Sequence, residues 1–67
     1  MKRINNDIGE RIKAAREALN MSQADLARKV GVDASRLCRW ERGEEPRFAS
    51  VKKLAKALGI RPGELLG

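Results

Sequence analysis

Residues 23–42 read QADLARKVGVDASRLCRWER, and Ser22 stands directly before them. Ser22 suits a helix N-cap, and Asp25 three positions later resembles a shortened capping box. Leu26, Ala27 and Val30 then share one face of a helix of about two turns, which Gly31 stops. Val32 is apolar, Asp33 suits the next N-cap, and Leu37 and Trp40 lie three apart on an inward stripe. Two helices separated by so short a turn must cross steeply. Such a crossing needs a small residue where the backbones approach, a residue tolerant of positive φ in the turn, and apolar side chains on both sides. Ala27, Gly31 and the set Leu26, Val30, Val32, Leu37 and Trp40 supply these in turn.

All of these in register predict a helix-turn-helix. Upstream, residues 1–7 (MKRINND) form a short polar lead-in. Ile8, Ile12, Ala15 and Leu19 follow at helical spacing, with Asp7 as the expected N-cap and a C-terminus near Leu19 or Asn20. Downstream, Gly43 stops the second helix of the motif, and EEPR (44–47) reads as a turn around Pro46. Phe48, Val51, Leu54, Ala55 and Leu58 predict the inner face of a fourth helix, with Lys52, Lys53 and Lys56 outside as a solvated face. Gly59 ends it, Ile60 packs inward, and Pro62 opens a short fifth helix carrying Leu65 and Leu66. No stretch alternates with period two. The expected fold is all-α, with residues 1–67 as one domain.

The composition narrows function. The chain has 67 residues, 15 Lys and Arg, 9 Asp and Glu, no His and one Cys, for a formal charge of +6. Without His and with a single Cys, neither a Ser-His-Asp triad, a Cys-His pair nor a multi-Cys zinc site can be assembled. A binding module is expected, with no catalysis and no cofactor. The positive charge is spread along the chain and favours a polyanionic partner. Apolar residues never run longer than two, so neither a signal peptide nor a membrane span is expected, and the lone thiol fits the cytoplasm.

The runs MSQADLARKVGV, WERGEEP, VKKLAKALGI and ELL, between Ile8 and Leu66, resemble the phage repressor and Cro-type (Xre-like) helix-turn-helix family. The resemblance implies a compact, five-helix, lambda-repressor-like DNA-binding domain of a bacterial or phage transcription regulator. Arg47 and Arg61 stand where such domains usually place a Ser, Thr or Asp cap, and Glu44 and Glu45 bring negative charge to the loop after the motif. The resemblance also pairs Arg16 with Glu41, a contact that spacing alone does not indicate.

In such a domain the second helix of the motif enters the major groove and the first crosses the backbone. With Leu37 and Trp40 inward, Ala34, Ser35, Cys38 and Arg39 lie outward as candidates for base contact. Arg39 can fork onto guanine, Ser35 can donate or accept, and the Ala34 methyl can meet a thymine methyl. Arg36 can serve bases or phosphates. Asp33 is read as a cap, Cys38 as a small half-exposed residue without a redox role, and Trp40 as core, not as a stacking platform. Ser22 and Gln23, at a helix N-terminus, together with Arg42 and Arg47, are the phosphate candidates.

The expected function is sequence-specific binding of double-stranded DNA by a transcriptional regulator, a repressor acting by operator occupancy. The alternatives are an antitoxin or a restriction–modification controller protein built on the same domain. An antitoxin usually appends a toxin-binding segment, and the sequence stops just after the fifth helix, which ranks that reading lower. An anionic-membrane binder would need an exposed apolar helix face, and here those faces are claimed by the core. One recognition helix reads too few base pairs to select a genomic site. A weak homodimer on an inverted-repeat operator is therefore expected, formed through Ile60, Leu65 and Leu66.

Overall fold

The computed structural model describes residues 7–66. Among them are five helices and no strand: α1 (Asp7–Ala18), α2 (Gln23–Val30), α3 (Ala34–Glu41), α4 (Phe48–Leu58) and α5 (Pro62–Leu66). α2 packs on α3 and α4, while α1 rests on α3, α4 and α5. One core joins them, and Ile12, Leu26, Leu37, Val51, Leu54 and Leu65 are its fully buried side chains. Each such aliphatic side chain contributes roughly 1.5–3 kcal/mol on burial.

The helix ends follow one local rule. Four helices close with a left-handed residue: Asn20 (φ 57°), Gly31 (φ 90°), Gly43 (φ 124°) and Gly59 (φ 73°). The next residue then donates its N–H back across the last turn: Met21 to the Arg16 carbonyl, Val32 to Ala27, Glu44 to Arg39 and Ile60 to Ala55, at 2.9–3.1 Å. This is the Schellman arrangement, which satisfies carbonyls that a helix end would leave without a donor. At α2 it turns the chain sharply enough for α3 to begin three residues later. The start of α2 is a full capping box: Ser22 Oγ accepts from the Asp25 N–H at 3.0 Å, and the Ser22 N–H donates to Asp25 Oδ2 at 3.1 Å. Hydrogen bonding from the Ser22 backbone N–H, and then from the Ser22 side chain, holds the Asp25 carboxyl below its usual range.

Several sequence expectations are corrected. Asp7 is the first helical residue of α1, not a residue before it, and the cap position lies outside the described residues. Leu19 is 51 % exposed, because α1 ends at Ala18 and the reversal at Asn20 sends Met21, not Leu19, against the core. Phe48 is 60 % exposed. It is the first residue of α4, two places after buried Pro46, and Lys52 Nζ lies 5.6 Å over its ring. Asp33 and Arg47 occupy N-cap positions without a side-chain cap bond. At α5 Glu64 compensates for Arg61, accepting the Arg61 N–H at 3.2 Å.

Gly9 in α1 is buried against the end of α3. A β-carbon there would stand 2.5 Å from the Trp40 carbonyl oxygen and 2.9 Å from that of Glu41. The absent side chain is what lets α1 lie directly on α3.

Candidate nucleic-acid interface

α3 is held by its inner face and open on its outer one. Leu37 and Trp40 are 0 % and 3 % exposed, anchoring the helix to the core. Ala34, Ser35, Arg36 and Arg39 are exposed, and Cys38 is half-buried. The helix thus presents a short polar and cationic surface of four open positions, fixed in orientation by two buried anchors. Arg42, just past the helix, and Arg47, before α4, are exposed as well.

α2 reaches the same region through one carboxylate. Glu41, at the C-terminus of α3, has only 3 % of its side chain exposed. Its Oε2 accepts from Arg16 Nε at 2.8 Å, and its Oε1 accepts from Arg16 Nη2 at 3.1 Å and from Gln23 Nε2 at 3.0 Å. Arg16 Nη1 also donates to the Met21 carbonyl at 2.8 Å. The hydrogen bond from Glu41 raises the Arg16 pKa above its ordinary value, outweighing burial. One carboxylate therefore ties α1, the start of α2 and the end of α3 together, and Arg16 adds the α1–α2 turn. The Gln23 amide nitrogen carries two hydrogens, so one remains available beyond Glu41. Gln23 therefore remains a donor at the N-terminus of α2, beside exposed Ser22, where the dipole favours an anion.

Arg39 is not free-standing. Its Nε donates to Glu44 Oε1 at 3.1 Å, with the two side chains 55 % and 54 % exposed. Neither this contact nor the Gln23–Glu41 bond is legible in the sequence. Neither pair has helical spacing: one is created by the chain reversal at Gly43, the other by the crossing of α2 and α3. Gly9, a glycine between Ile8 and Ile12 in an amphipathic run, is by contrast itself a signal of close backbone approach.

Comparison with known proteins gives this geometry a context. A family model described as helix-turn-helix matches residues 12–65. The repressor protein C2 of Salmonella phage P22 is 43 % identical over 60 residues, covering 88 % of this chain and 28 % of the repressor. The chain thus spans little more than a quarter of that relative's length. The crystal structure of the P22 c2 repressor with a synthetic operator superposes with a TM-score of 0.83 at 42 % identity, covering 88 % of this chain and 91 % of that one. The restriction–modification controller protein C.AhdI from Aeromonas hydrophila gives 0.83 at 39 % identity, covering 87 % and 86 %. The fold also occurs within a longer chain, HppE with Fe(II) and its substrate, at a TM-score of 0.86 and 29 % identity, covering 96 % of this chain and 37 % of that one.

Proposed function

Because the chain belongs to the helix-turn-helix family, we propose that it is a sequence-specific, double-stranded-DNA-binding transcriptional repressor that acts by occupying an operator. The observation that carries this reading is the exposed face of α3, backed by buried Leu37 and Trp40. The similarity to a repressor solved on its operator supports it. In this reading residues 1–67 act as one DNA-binding domain in the cytoplasm, binding is the whole activity, and no cofactor takes part. Among the described residues no helix is long and apolar enough to cross a membrane.

The roles divide by position. Arg39 and Ser35 read base edges, with Ala34, Arg36 and Cys38 beside them. Ser22, Gln23, Arg42 and Arg47 grip phosphates. Arg39→Ala and Ser35→Ala should each relax the preference at particular base pairs, by about 1–3 kcal/mol on the best site. Gln23→Ala, Arg42→Ala and Arg47→Ala should weaken all duplexes alike and flatten the salt dependence. Gel-shift titrations on a selected site and its single-base variants, at several salt concentrations, separate the two classes. An unchanged base preference for both α3 variants would remove α3 from recognition.

C.AhdI, matched over nearly its whole length, supports a second reading in which the operator belongs to a restriction–modification operon. The chemistry of binding is the same in both.

For assembly, we keep a weak homodimer on an inverted repeat, with its surface revised. Leu65 is 1 % exposed and belongs to the core, whereas Leu66 is 54 % exposed and Ile60 is half-buried. The small size of the Leu66 and Ile60 patch favours pairing on DNA over a stable free dimer. Leu66→Glu should lower cooperativity on a two-half-site duplex and leave single half-site affinity nearly unchanged. A loss of half-site affinity equal to the loss on the full site would contradict this.

A further inference from the structure

We infer that Glu44 is a positioning residue for Arg39: by holding Nε, it makes the guanidinium present its two terminal nitrogens to a base edge and so sets the guanine preference at one operator position. The inference rests on the reading of α3 as the recognition helix. Four helix ends share the same reversal, and the residue after the left-handed turn is Met21, Val32, Glu44 or Ile60. Three of these are apolar and pack against the core, the usual accompaniment of this turn. Only at α3 is the residue a carboxylate, and there the helix residue it folds back over is Arg39. The return is fixed at two points: the Glu44 N–H donates to the Arg39 carbonyl at 2.9 Å, and Arg39 Nε donates to Glu44 Oε1 at 3.1 Å.

An exposed ion pair of this kind adds little to stability, so the fold gains little from it. A carboxylate beside a polyanion also costs affinity. Its effect on Arg39 is geometric. A guanidinium grips the O6 and N7 acceptors of guanine with two parallel N–H groups, either Nη1 with Nη2 or Nε with one Nη. With Nε engaged by Glu44, only the first pair is open. The side chain is thereby given one presentation before it meets DNA, so less conformational freedom is lost on binding.

The test uses the full chain and the duplex it selects from random DNA. The position read by Arg39 is the one where Arg39→Ala relaxes the preference. Binding to all four base pairs at that position is then measured for the wild type, Glu44→Ala, Glu44→Gln and Glu44→Ala with Arg39→Ala, with melting curves to confirm folding. Glu44→Ala should reduce the guanine preference about fivefold or more, with affinity for unrelated duplex unchanged or raised. Glu44→Gln, whose amide oxygen still accepts from Nε, should keep most of the preference. In the Arg39→Ala background Glu44→Ala should change the preference no further. If Glu44→Ala tightens every duplex by one factor and leaves the preference intact, Glu44 is only a repelling charge and the inference fails, while the recognition role of Arg39 stands. If Arg39→Ala alone leaves every preference intact, the recognition reading fails and the inference with it.

Discussion

Replacing Glu41 by Ala should cost about 3–5 kcal/mol of folding stability. The variant strands three donors at once: Arg16 Nε, Arg16 Nη2 and Gln23 Nε2. Arg16 is 8 % exposed and has no means of losing its charge, so its guanidinium would keep only the Met21 carbonyl and the 4.0 Å ion pair with half-exposed Glu17. A chain of this size has roughly 3–10 kcal/mol of total stability, so Glu41→Ala should lose a large share of it and melt well below the wild type. Glu41→Gln, which keeps the shape and one acceptor, should fall between it and the wild type. Urea denaturation followed by circular dichroism reads the difference directly. A midpoint for Glu41→Ala within error of the wild type would mean that the three bonds contribute nothing net.

The second large effect is expected at Gly9. Gly9→Ala should destabilise by about 3 kcal/mol, the upper end of the usual overpacking range. Elsewhere in a helix interior the same change stabilises by about 1 kcal/mol, so the sign itself is diagnostic. The new β-carbon would meet the Trp40 and Glu41 carbonyl oxygens at 2.5 Å and 2.9 Å. These are backbone atoms of α3 and the residues on either side cannot rotate away. Relief requires α1 and α3 to separate, which lengthens the Arg16–Glu41 bonds about two helix turns further on. Gly9→Ala and Glu41→Ala should therefore be non-additive, and a double-mutant cycle measures the coupling. A more stable Gly9→Ala would show that α1 does not lie on α3 as described.

Local signals carried the reading of the fold. The capping box at Ser22 and the glycines at 31, 43 and 59 mark helix ends by mechanisms that act within a few residues, and the inward stripes name most of the core. The misplacements fall where a chain end or a reversal overrides periodicity. Leu19 keeps helical spacing but lies beyond the last helical residue. Phe48 does so at the first residue of α4, before the helix face that meets the core is established. Leu65 and Leu66 are neighbours in a five-residue helix, and spacing does not tell which of them the core takes. The candidate interface was legible as a face of α3, because two inward anchors define the outward positions. Its internal bonds were not. Glu41 with Gln23, and Arg39 with Glu44, join residues that only the crossing of helices or a chain reversal brings together.

In the proposed function the outer face of α3 reads bases in the major groove of double-stranded DNA. Dimethyl sulfate protection on a duplex selected from random sequence tests it most directly, because the reagent attacks guanine N7 in that groove. Protected guanines are expected in two clusters about one helical turn apart on one face of the duplex, with the protection of one guanine in each cluster lost in Arg39→Ala. Tight binding with every guanine N7 still open to the reagent would contradict it.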